Sequence, residues 1–145
     1  MIYFQLANSE KYKFADEASG YLRLDKQGSE YFDRLDNSES DSFNITSKSK
    51  FLDIMKKELA DSIIPLNIDK ISIVGTQIDK NSEGKNIIIL VKISPPGDDE
   101  IRNVDRIIED LNEMVRNKEI SPLMYNKNAT IFLDGDSGFT RTSKL

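Results

Sequence analysis

NIIILVKI, residues 86–93, decides how the rest of the chain folds. From Ile87 to Val91 it is apolar at every position, so both faces of an extended segment would be buried. That predicts a strand in the middle of a sheet rather than at its rim. Upstream, Ile71-Ser72-Ile73-Val74-Gly75 reads as a second strand, and the turn-forming stretch DKNSEGK between them makes the two a hairpin. Downstream, Pro95-Pro96-Gly97 stops the run. Asp98 then caps a helix that carries Ile101, Val104, Ile108, Leu111 and Val115 on one stripe.

Toward the N-terminus, Ser47 or Ser49 is placed to cap a helix in which Phe51, Leu52, Met55, Leu59 and Ile63 recur at helical spacing, and Pro65 forbids its continuation. Ahead of it, Ile2, Phe4 and Leu6 alternate with polar residues. Tyr12-Lys13-Phe14 and Tyr21-Leu22-Arg23-Leu24 repeat the idea, so residues 1–46 read as a small antiparallel meander. Within it SEYFDRLDNSESDS, residues 29–42, is polar and serine-rich and reads as a loop with a short strand or turn around Tyr31 to Leu35. Thr130-Ile131-Phe132-Leu133 forms a last strand. The succession of strands, helix, strand pair, helix and strand predicts an α+β fold: an antiparallel or mixed sheet packed with two helices, in one domain over residues 1–145.

The composition excludes several kinds of chemistry. A chain of 145 residues, 38% hydrophobic and 31% charged, is a globular domain able to bury roughly 68–70% of its unfolded surface without metal or disulfide. Zero cysteine excludes disulfides, thiolate catalysis and cysteine-ligated zinc. Zero histidine removes the commonest acid-base side chain near neutral pH and the commonest transition-metal ligand. No cofactor or metal is expected. A net charge of −5 opposes nucleic-acid binding, which draws on lysine and arginine against phosphate, and suits a basic protein as partner. The opening MIYFQLANSEKYKF lacks the basic and long apolar regions of a signal peptide, so a cytoplasmic location is expected. On that basis Asn44-Ile45-Thr46 and Asn128-Ala129-Thr130 are glycosylation sequons in form only.

FLDGDSGF, residues 132–139, contains the Gly-Asp-Ser-Gly that surrounds the nucleophile of chymotrypsin-like proteases. Without histidine, Ser137 has no general base of the usual kind. Asp134 and Asp136 match positions 1 and 3 of a calcium loop, but Gly138 and Leu145 occupy places where ligands are needed. The stretch reads as a strand end followed by a tight turn.

The acidic residues are unevenly placed. Glu30, Asp33, Asp36, Glu39 and Asp41 face one base, Arg34, and from Asp98 to Glu113 the acids outnumber Arg102 and Arg106. Asp98, Asp99 and Glu100 suit the first turn of the predicted helix, where its dipole favours negative charge. The row Asp105, Glu109, Glu113 stacks like charge at four-residue spacing, which costs a few tenths of a kcal/mol per pair in an isolated helix. Arg106 offsets part of it through Glu109 and Asp110. Acidic surface complementary to a basic partner speeds encounter and sets register. Tyr31 is expected outward as an anchor ringed by carboxylates, and Phe32 inward.

This small acidic chain, with no cysteine, no histidine and clustered carboxylates in SEYFDRLDNSESD and DDEIRNVDRIIEDLNE, resembles the immunity proteins of bacterial toxin systems, in particular the contact-dependent growth inhibition group. The resemblance lies in general character and not in a diagnostic motif. It implies one-to-one, non-catalytic binding to a cognate toxin domain. The acidic charge suits a basic nuclease as that toxin, and a ribonuclease first. The contact residues would be Glu30, Tyr31, Asp33, Asp36, Glu39, Asp41, Asp98, Asp99, Asp105, Glu109 and Glu113. An alternative is a single-stranded nucleic-acid binder. For it stand the order of elements, loosely similar to Whirly-type folds, and the local basic patch Lys48, Lys50, Lys56 and Lys57 beside Phe51. A structural subunit of a larger assembly is a third class compatible with the composition.

Overall fold

The computed structural model describes residues 17–36, 47–63, 68–80, 86–94, 103–118 and 127–142. The strand expected at the centre is there. β3 (Ile87–Ile93) pairs antiparallel with β2 (Ile71–Ile78) on one side and with β1 (Ala18–Arg23) on the other. β4 (Phe139–Arg141) pairs antiparallel with the far side of β1, giving the order β2-β3-β1-β4. Of the two arrangements left open by the sequence, the protein has the antiparallel one. Ile87, Ile88, Ile89, Val91 and Ile93 are all buried, as an interior strand requires.

Three helices pack with the sheet: α1 (Lys26–Arg34), α2 (Lys48–Ser62) and α3 (Val104–Arg116). The fold is α+β. α2 lies against β2 and meets α3, and α3 lies against β4. One hydrophobic core joins Leu22 of β1, Ile89 of β3, Phe51 and Leu59 of α2, and Ile107 and Leu111 of α3. α2 matches its sequence pattern closely. Ser47 is the N-cap, accepting from the Lys50 amide at 3.0 Å, while Phe51, Met55 and Leu59 are fully buried and Ile63 is the C-cap.

Four expectations are corrected. The meander is not formed around β1, because both its edges are taken by β3 and β4, which arrive from far along the chain. Ile2 to Leu6 and Tyr12 to Phe14 lie outside the described residues. The segment read as a loop with a short strand or turn, Tyr31 to Leu35, belongs to α1 and its C-cap. Asp25 caps this helix by accepting from the Gly28 amide, and Gly28, Ser29 and Phe32 form the buried side. There are thus three helices among the described residues rather than two. The second predicted helix begins at Val104 with Asn103 as N-cap, accepting from the Arg106 amide at 2.9 Å. Asp98 is therefore not its cap, and Asp105, not Asp98 to Glu100, is the acid of its first turn.

The fourth correction concerns Thr130 to Phe132, which form a 3-10 turn instead of a strand. The cause is Glu58 of α2. This carboxylate is buried and accepts from the Asn128, Ala129 and Thr130 amides at 2.9, 2.9 and 2.8 Å, and from the Thr130 hydroxyl at 3.2 Å. Successive amides converge on one carboxylate only if the backbone curls, since an extended strand points them alternately to opposite sides. The last strand comes later, as β4.

β4 explains Gly20. A Cβ at this position would run into the Phe139 ring and the Thr140 carbonyl. Gly20→Ala should destabilise the protein by roughly 1–3 kcal/mol through overpacking, read as a lower urea midpoint with an unchanged slope.

Candidate protein-binding surface

The two acidic stretches become two helix faces, and they are not equivalent. On α1, Glu30 and Asp33 are exposed, but Lys26 lies four residues before Glu30 and Arg34 four after it. Charges of both signs thus alternate on this face, which is the ordinary pattern of a solvated helix. Tyr31 does not project as an anchor. Its ring is half-buried, stacked on Phe132 at 4.9 Å between centroids and tilted against Phe51 at 6.0 Å. Phe32 is buried as expected, edge-on to Phe51 at 5.4 Å.

Asp36 has an internal task. Its backbone is left-handed, with φ of 74°, and its carboxylate accepts from the Lys48 amide at 3.1 Å, tying the end of α1 to the first turn of α2. Asp36→Ala should cost roughly 1–2 kcal/mol, by losing a helix-end acceptor and the short polar side chain that eases a left-handed backbone. Asp36→Asn, which tolerates that backbone and keeps an acceptor oxygen, should be nearly neutral in thermal melts. Glu39, Asp41, Asp98 and Asp99 lie outside the described residues.

α3 carries the clearer surface. Val104, Ile107, Ile108, Leu111 and Val115 turn inward, leaving Asp105, Glu109 and Glu113 on the exposed side. Asp105 is engaged by Arg141 of β4 at 2.5 Å, and Asp110 pairs with Arg106 at 3.3 Å. The carboxylates of Glu109 and Glu113 have neither an ion pair nor a hydrogen bond among the described residues. They remain as two like charges one turn apart, facing solvent.

Beside the C-terminus of α3 lies a cleft of about 390 Å³, lined by Asp25, Arg116, Asn117, Lys118, Leu133, Asp134, Gly135 and Asp136. The FLDGDSGF stretch forms one wall. Asp134 closes the turn by accepting from the Asp136 amide at 3.0 Å and the Ser137 hydroxyl at 2.9 Å, and Arg23 donates to Ser137 Oγ at 3.2 Å. Arg23 also pairs with Asp79. Ser137 is thereby fixed between a carboxylate and a guanidinium, with no lysine among its described partners. Gly138, at φ of 60°, leaves room for Asn112, whose side-chain oxygen accepts from the Phe139 amide at 2.9 Å and aligns β4. The turn is an anchor for the last strand. Among the described residues, no group of three histidine, cysteine, aspartate or glutamate side chains is placed to hold a metal.

The basic patch of α2 is less suited to nucleic acid than its sequence suggests. Phe51 is fully buried, so its face cannot stack on a base. Lys48 lies over the Phe32 ring, 5.7 Å from its centroid. The order among the described residues, strand, helix, helix, two strands, helix, strand, also differs from the succession on which the Whirly likeness rests. No described helix is long and apolar enough to cross a membrane.

Much of this arrangement has no short-range signal in the sequence. The partners of Asp36 and Asp105 lie 12 and 36 residues away. In α3, the apolar stripe marked the buried side in advance, and the four-residue spacing of Asp105, Glu109 and Glu113 marked the exposed one. No protein-family model, no curated protein and no solved structure matches the chain.

Proposed function

We propose that this protein is an immunity protein, a non-catalytic module that binds a cognate toxin domain in the cytoplasm and neutralises it. The target is a basic nuclease, with a ribonuclease favoured, and α3 supplies the contact surface. One observation carries the reading. On α3, Asp105 and Asp110 are paired within the fold, whereas Glu109 and Glu113 stand unpaired on an exposed row. An uncompensated pair of this kind destabilises an isolated helix slightly, and opposite charge on a partner would relieve it. The adjoining cleft, with charges of both signs, would receive polar side chains at the rim of the same interface.

Co-expression tests the proposal. Where the gene directly upstream encodes a large secreted protein, the chain is produced together with that protein's C-terminal domain. A stoichiometric complex and restored growth are expected. Failure of the two to co-purify, or growth arrest despite soluble protein, would count decisively against it. Submicromolar binding to single-stranded oligonucleotides at moderate salt would favour the nucleic-acid reading instead.

A further inference from the structure

β2 is an outer strand, and among the described residues no strand pairs with its free edge. Such edges are usually defended by charge, because unpaired N–H and C=O groups template pairing with another chain. β2 has no charged residue from Ile71 to Ile78, in a chain of which 31% is charged. It also bears the two most exposed large apolar side chains among the described residues, Val74 at 67% and Ile78 at 57%.

Charge resumes at both ends of the strand, as Asp69-Lys70 before it and Asp79-Lys80 after it. The order is negative, positive, a neutral strand, negative, positive. Laid antiparallel on a copy of itself about the strand centre, this pattern sets Asp69 against Lys80, and Lys70 against Asp79, which also pairs with Arg23 of its own chain. Laid parallel and in register, it sets like on like. Opposite charges across a strand pair stabilise it and like charges destabilise it.

Side-chain direction supports the same alignment, which places Ile71 opposite Ile78 and Ile73 opposite Thr76. In an unbroken strand, residues 73 and 76 point to opposite faces. Here the register of β2 on β3 slips between Ile73 and Gly75. Ile71 and Ile73 before the slip, and Thr76 and Ile78 after it, oppose Ile93, Val91, Ile89 and Ile87, which share one face of β3. Lying at the centre of the alignment, the bulge is carried by both copies and leaves the two flanking halves matched.

We propose that β2 pairs antiparallel with β2 of a second copy about a two-fold axis, joining the two four-stranded sheets edge to edge. This edge is opposite β4, the strand against which α3 packs, so the acidic rows of both copies stay open. The dimer does not rest on the immunity reading and is tested without a toxin. In sedimentation equilibrium of the full chain, the mass should rise to twice that of the monomer with concentration, and exchange of the Thr76 and Ile78 amides, which alternate with those directed at β3, should slow in parallel. Lys80→Glu sets an acid against Asp69 of the copy and should weaken dimerisation about tenfold, since the two-fold axis counts each altered pair twice. Adding Asp69→Lys to it should restore the dimer. Val74→Lys with Ile78→Lys, both at exposed positions, should leave a folded monomer. A monomer at every concentration, a dimer indifferent to the lysine pair, or no rescue by the double charge exchange would each overturn the proposal.

Discussion

Glu58→Ala should destabilise the protein by roughly 3–5 kcal/mol, as much as truncating a large core side chain. The side chain is 8% exposed and holds three successive amides and one hydroxyl of residues 128–130. Truncation removes charge-assisted hydrogen bonds and leaves the Ala129 and Thr130 amides buried without acceptors. Each such group costs about 1–3 kcal/mol when unsatisfied. Glu58→Gln should fall between: one amide oxygen still accepts, but the NH₂ group faces N–H donors. Thr130→Val, which deletes only the hydroxyl contact, should cost about 1 kcal/mol. Urea unfolding of the three variants should give that order. A Glu58→Ala protein within about 1 kcal/mol of wild type would mean that the clasp contributes little to the fold.

Reversing both free acids of α3, Glu109→Lys with Glu113→Lys, should weaken binding to the cognate toxin about a hundredfold at low salt. The melting temperature should hardly move. Both residues are exposed and unpaired, so removing them deletes no contact of the folded chain, and such surface changes fall within about 0.5 kcal/mol. Against a basic partner, two attractions become two repulsions, and the loss should shrink as salt screens it. The matching change on α1, Glu30→Lys with Asp33→Lys, should have a smaller effect because Lys26 and Arg34 already flank that face. Titration calorimetry distinguishes the two helices. An unchanged dissociation constant for the α3 variant would remove α3 from the interface.

The contrast between these helices shows what could be read from sequence. β3 and α2 were legible because burial imposes its own pattern: an apolar run in one, a repeat near 3.6 residues in the other. α1 was hidden by small polar residues on its inward side. Gly28 is needed there because a Cβ would strike Phe132. Ser29 uses its hydroxyl to accept from the Ile87 amide of β3 at 3.0 Å. Residues that resemble a turn thus line a buried helix face. Thr130 to Phe132 had the opposite disguise, a β-branched apolar run curled by a glutamate 72 residues earlier. β4 is too short to show a period at all.

The acidic rows were visible as spacing, whereas their occupancy was not. Whether an aspartate is available depends on which cation or amide the fold brings to it. Asp105 is met by Arg141 and Asp36 by the Lys48 amide, while Glu109 and Glu113 are left open.

The placement of β4 also bears on how the chain folds during synthesis. β1 is made early, yet one of its neighbours is β4, and the contact that extends this pair, Thr142 to Ser19, spans 123 residues. The Glu58 clasp likewise awaits residues 128–130. While the ribosome is still adding residues 94–127, β1 has one bare edge and the carboxylate of α2 has no amides to hold. Contacts of such separation form slowly and late. The nascent chain therefore passes through a stage with an open sheet edge, at which dilution or chaperone capture favours folding over association.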